Sequence, residues 1–126
     1  MSRKNLEFGK IAENKAIEFL RTNGYKILKT NYKTKLGEID IIAKDNDTIC
    51  FVEVKGRHSL DFGEPSEAVS FKKQRQISKA AISYLRINNL LEFSARFDVL
   101  SILFEDNKGE VSLIKNAFDL NPSFTI

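Results

Sequence analysis

Two short β-rich runs hold the residues best suited to chemistry: Gly37-Glu38-Ile39-Asp40-Ile41-Ile42-Ala43 and Cys50-Phe51-Val52-Glu53-Val54-Lys55. The Asp45-Asn46-Asp47 stretch between them predicts a hairpin turn. With that turn centred between Asn46 and Asp47, Asp40 lies opposite Glu53, Glu38 opposite Lys55 and Ile42 opposite Phe51. Alternation along a strand then puts all six on one face, with opposed β-carbons about 4.5–5.5 Å apart. Ile39, Ile41, Ala43, Cys50, Val52 and Val54 fall on the other face, which is apolar throughout and predicts core.

Two carboxylates facing each other destabilise a sheet. A divalent cation removes that cost, because hard cations such as magnesium take oxygen ligands from one or two carboxylates. A one-residue slip of the register would drive the charges into the core, so the pattern itself supports the pairing. The competing reading is a surface ladder in which Lys55 neutralises Glu38 or Glu53.

Residues 5–22 read as a helix that Asn23-Gly24 stops, with Leu6, Gly9, Ala16, Ile17 and Leu20 on one stripe. Glu13 sits in the middle of that stripe, on the side expected to face the sheet. Buried glutamates are rare unless paired or bound to metal. Gly9 and Ala16 would let the backbone come close around it. The alternative is a glutamate that snorkels to the edge or pairs with a lysine.

Tyr25 to Tyr32 predicts a strand, followed by the hairpin strands Leu36–Lys44 and Thr48–Lys55. Gly56 to Glu64 reads as a polar loop, and Pro65 as the start of a long helix running to about Asn88. Ile77, Ala80, Ala81, Tyr84 and Leu85 form the core stripe of that helix. Arg96–Phe104 and Val111–Ile114 predict two more strands, joined by a turn at Asn107-Lys108-Gly109. The order α-β-β-β-α-β-β predicts an α/β fold, a sheet with helices packed on it.

At 126 residues the chain is long enough for one domain with a real core. Residues 1–120 are expected to form it, with 121–126 as a flexible C-terminal tail. The composition, 42% hydrophobic and 29% charged, argues against a fibre or a disordered chain. A single cysteine, Cys50, precludes an internal disulfide and suits a buried thiol. The polar N-terminus lacks a signal-peptide core, and no apolar run approaches membrane-span length. The expectation is a soluble, cytoplasmic protein with no membrane partner.

The net charge is +3, and its excess is concentrated in the middle of the chain. Residues 55–88 carry Lys55, Arg57, Lys72, Lys73, Arg75, Lys79 and Arg86 against Asp61, Glu64 and Glu67. A basic patch next to an acidic pair suits an enzyme of phosphate esters, while a solvated helix face is the plainer account. His58, the lone histidine, fits a loop residue or phosphate contact better than a metal ligand.

A helix glutamate, then Gly-Glu-Ile-Asp, then Glu-x-Lys on the next strand resembles the PD-(D/E)xK nuclease superfamily. More closely, the chain resembles the YraN family of bacterial proteins, which is similar to archaeal-type Holliday-junction resolvases. The matching segments run from Gly9–Glu13 through Asn31-Tyr32, Gly37–Ala43, Phe51–Arg57, Val69–Lys73 and Arg96–Val99 to Ile114–Phe118. The departures are small: Ile39 stands where the superfamily's name has proline, and Ala12 replaces a frequent glycine.

The resemblance implies a restriction-endonuclease-like core with a mixed central sheet. It implies one or two Mg2+ or Mn2+ ions held by Asp40, Glu53 and the Val54 carbonyl, with Glu13 completing the acidic set. Lys55 would orient or activate the attacking water, and Lys73 would stand near the site. Arg57, Lys72, Lys73, Arg75 and Lys79 would then contact nucleic-acid phosphates, DNA first, positioning the backbone without reading sequence. By the same likeness the activity is endonucleolytic, directed at branched or junction DNA, and the assembly a homodimer. Two other readings stay open: a nucleic-acid binder that kept the fold and lost catalysis, and a scaffold with an incidental ion-pair ladder.

Overall fold

The structure, a computed structural model, describes residues 3–57, 69–105 and 108–119. Helix α1 spans Arg3–Thr22 and is followed by strands β1 (Lys26–Lys33), β2 (Glu38–Asp45) and β3 (Thr48–Arg57). Helix α2 (Phe71–Ile87) then leads to β4 (Ser94–Glu105) and β5 (Lys108–Phe118). The expected element order is the observed one.

Both helices end in the same device. After α1, Gly24 takes a left-handed φ of 86°, the Tyr25 N–H donates to the Leu20 carbonyl and the Gly24 N–H to that of Arg21. This is a Schellman end, with Leu20 and Tyr25 buried in one cluster as its hydrophobic contact. After α2 the left-handed residue is Asn89, with Leu90 donating to Leu85 and Asn89 to Arg86. At the other end of α2, Ser70 caps the helix through a bond from the Lys73 N–H to its hydroxyl. That cap, a favoured N-terminal residue, starts the helix six residues later than the Pro65 expected from sequence. Pro65, His58, Lys108's neighbour Asn107 and the tail at 121–126 lie outside the described residues.

The five strands form one mixed sheet in the order β1-β2-β3-β4-β5, antiparallel except for the parallel β3–β4 pair. A parallel neighbour requires a crossover, which α2 supplies. Lys108 and Gly109, expected in a turn, are paired residues of β5 instead. One face packs Ala12, Ala16 and Leu20 of α1 on Ile41, Ala43, Cys50, Val52, Leu100 and Ile102. The other packs Ile77, Ala80, Ala81, Tyr84 and Leu85 of α2 on Ile42, Ile49, Phe51, Phe97 and Val99. The stripe on α2 is the one its periodicity predicts. That on α1 is shifted: Ala12 replaces Gly9, which is exposed, with nothing near the position of a Cβ. Cys50 is a free buried thiol, pushed up to about 12 by burial. Among the described residues, no helix is long and apolar enough to cross a membrane.

Candidate functional site

The site lies where β2 parts from β3. The hairpin keeps the expected register, Ile42 opposite Phe51 and Ala43 opposite Cys50, with Asn46 in a left-handed turn conformation. The pairing ends at Ile41 and Val52. Beyond that point the Asp40 carboxylate takes over as acceptor, receiving the Val54 N–H at 2.8 Å. Strand β1 is irregular at the same level, because Asn31 has a φ of 51°.

Strict alternation fails here as a result. Ile39 is buried with Ile42 and Phe51 under α2, opposite Tyr32, and not with Ile41 under α1. The sequence pattern placed it on the wrong side of the sheet because alternation presumes an unbroken pleat.

Asp40 and Glu53 line one small cleft of about 190 Å3 with Glu38, Lys73, Gln76 and Ile77. Burial, then the charge of Glu53, pushes the Asp40 carboxyl up to about 7, against the pull of the Val54 N–H and Lys73. Glu53 itself is only 4% exposed. Its Oε1 meets the Lys73 ammonium at 2.5 Å and that of Lys55 at 3.7 Å. Burial, then Lys73, makes Lys55 easier to deprotonate than a free lysine. Burial acts to lower Lys73, but its bond to Glu53 and the charges of Glu53 and Asp40 together outweigh this and the net direction is up.

Glu13 is half-buried at the edge of the α1 stripe, not at its centre, and accepts a 2.7 Å bond from the Asn31 side chain. It lines a second, larger cleft of about 780 Å3 on the α1 side, with Asn31, Glu38, Asp40 and Val54. Asp40 and Glu38 thus border both clefts, one on each side of the opened sheet. The three acids do not close into one cluster: among the described residues no three Asp, Glu, His or Cys groups stand together as metal ligands would.

The basic residues divide. Lys72 and Arg75 are exposed on the outer face of α2, while Lys79 and Arg57 are half-buried. Lys73, expected among the phosphate contacts, is committed to Glu53. Asn31 as the partner of Glu13 went unseen in the sequence; its one signal was an asparagine inside a β-rich run.

Gly37 fixes how close α2 comes. A Cβ there would fall 2.5 Å from the Gln76 carbonyl oxygen, one turn from Lys73. Gly37→Ala should therefore cost about 1–3 kcal/mol in urea unfolding, the usual range for overpacking. Its amide shifts should concentrate in the first two turns of α2, and shifts spread evenly over the sheet would refute this account.

The groups of this cleft that could take a metal are oxygens, the carboxylates of Asp40, Glu53 and Glu38, with Lys73 on Glu53. That set fits a hard divalent cation of the magnesium type, which one or two carboxylates suffice to hold.

Residues 12–102 match the model of uncharacterised protein family UPF0102, also known as the YraN family. A UPF0102 protein of Geobacter metallireducens is 47% identical over 120 residues, covering 95% of this chain and 98% of the relative. One from Syntrophus aciditrophicus is 46% identical over 117 residues, covering 93% and 92%. Another from Acetivibrio thermocellus is 49% identical over 117 residues, covering 87% and 89%. With the matched region running from α1 to β4 and containing every residue of the site just described, the chain belongs to the UPF0102 family.

Proposed function

We propose that this protein is a metal-dependent nuclease of the PD-(D/E)xK type that hydrolyses phosphodiester bonds in DNA. The observation that carries the reading is the pairing of two carboxylates, Asp40 and Glu53, at the opening of a sheet, with Lys55 two residues on. Burying like charges side by side is costly and serves no packing purpose, so a cation-dependent role accounts for it. Asp40, Glu53 and the Val54 carbonyl would hold Mg2+ or Mn2+, and Glu13 would join them only by leaving its bond to Asn31. The metal, when bound, would supply Lewis acidity and lower the pKa of a bound water.

The chain's own groups do the rest. Lys55, whose ammonium lies 3.7 Å from Glu53, can orient an attacking water and offset charge that develops on the phosphate. Lys72, Arg75, Lys79 and Arg57 offer charge to the backbone phosphates flanking the scissile one. A second reading, a DNA binder without catalysis, is favoured by two observations: Glu53 is already paired with Lys73, and Glu13 is satisfied by Asn31.

Incubation with branched, single-stranded and duplex DNA in Mg2+ or Mn2+ separates the two. Cleavage by the wild type, abolished in Asp40→Asn and Glu53→Gln with DNA binding retained, is the expected result. Binding without any cleavage, unchanged in both variants, would establish the binder instead.

A further inference from the structure

Lys73 is a cation in an unfavourable place. It lies in the first turn of α2, where the helix dipole repels positive charge, and that turn contains no acidic residue. Two separate features hold it there: the Ser70 cap receives the backbone N–H of Lys73 itself, and Gly37 admits the Gln76 turn to the sheet. What offsets the cost is the Glu53 carboxylate, which the ammonium meets directly. The Lys73 charge also acts to lower the Asp40 pKa. Around the cleft three carboxylates, Glu38, Asp40 and Glu53, face two ammonium groups, Lys73 in its lining and Lys55 at 3.7 Å from Glu53.

Building on the metal reading above, we propose that Lys73 is the resident counter-cation of the Asp40–Glu53 pair, standing in the charge position of a second metal ion. The site then takes a single divalent cation, and Lys73 holds its affinity down. A doubly positive ion entering a cleft whose three acids are already offset by two ammonium groups leaves it with net positive charge, and a second ion would raise that further. Removing one ammonium a few ångströms away lowers the electrostatic cost of the first ion directly.

Calorimetric titration of the full chain with Mn2+, at neutral pH and with no DNA present, tests this. The wild type should bind one ion. Lys73→Met should bind its first ion roughly tenfold tighter or more, as expected for loss of a nearby unit charge. Lys73→Arg, which keeps the charge, should stay close to the wild type. Lys72→Met, exposed on the same helix, should change affinity by less than about twofold, because solvent screens it.

Should Lys73→Met not fold, the wild type alone still decides. The side-chain ammonium resonance of Lys73 should move on Mg2+ saturation while that of Lys72 stays. Two ions bound by the wild type, unchanged affinity in a folded Lys73→Met, or an unmoved Lys73 signal at saturation would each overturn the proposal. If no variant binds Mn2+ at all, the metal reading itself falls, and this inference with it.

Discussion

Asp40→Asn should make the protein more stable at pH 8 in the presence of a chelator, by roughly 2 kcal/mol, or about 5–10 °C in Tm. The reason is the raised carboxyl. Folded, Asp40 keeps its proton up to about pH 7, whereas the unfolded chain releases it near the ordinary value of about 3.9. Between those limits the native state binds more protons, so its stability falls as pH rises through the window. The contribution is whole below about pH 4 and gone above about pH 7. The full linkage would be larger, but Asp40 is partly exposed and solvent moderates it.

Asparagine stays neutral throughout, and its side-chain oxygen can still accept the Val54 N–H. The two proteins should therefore melt together near pH 4 and separate as pH rises. Added Mg2+ or Mn2+ should close the gap from the wild-type side, since a ligand that binds only the folded state raises its apparent stability. A gap that is constant from pH 4 to pH 8, or that has the opposite sign, would show that Asp40 is not a buried destabilising charge.

The largest loss is expected far from the site. Asp98 is fully buried on β4 and receives the Arg96 Nε at 3.1 Å and the Asn116 N–H at 2.9 Å. Arg96 also reaches Asp45 at 3.1 Å and the Tyr25 hydroxyl at 2.9 Å, tying the β2–β3 hairpin to β4. Burial holds the Asp98 carboxyl above the usual carboxylate range, against the pull of Asn116 and Arg96.

Arg96→Met removes the guanidinium that pairs with Asp98 at 3.1 Å while leaving the carboxylate buried. That should cost about 3–5 kcal/mol in chemical denaturation at pH 7. The deficit should shrink toward pH 4, where protonation of Asp98 removes the stranded charge, and the double variant with Asp98→Asn should recover much of it. A double variant as unstable as the sum of the two single ones would mean that the pair does not act as a unit.

Much of this fold can be read from periodicity. The hairpin register follows from matching Ile42 to Phe51 around one turn, and the α2 stripe follows from a helix that lies flat on a sheet. Ile39 was misplaced because the pleat breaks at Asp40, and nothing local in the sequence announces a break. The α1 stripe shifted by one position because alanine and glycine carry little hydrophobic signal, so Ala12 and Gly9 could not be ranked. The candidate site was legible as residue types, and Asp40 and Glu53 do come together. Its charge balance was not, because Lys73 reaches Glu53 across a parallel crossover, a contact that pairing arguments within one hairpin cannot supply. The Arg96 network was missed for the same reason: Arg96 comes from β4, Asp45 from β2 and Tyr25 from the turn after α1.

The kinks in the outer strands have a bearing on solubility. Among the described residues β1 and β5 each have one edge with no strand paired to it, and a regular edge is a template for pairing with a foreign strand. Here β1 is disrupted by a bulge at Leu28 and the left-handed Asn31, and β5 by its slipped register and the left-handed Asn116. The same distortions that aim Asn31 at Glu13 and Asn116 at Asp98 also twist both rims out of register with any incoming chain, so the architecture discourages edge-to-edge aggregation without needing anything to cover it.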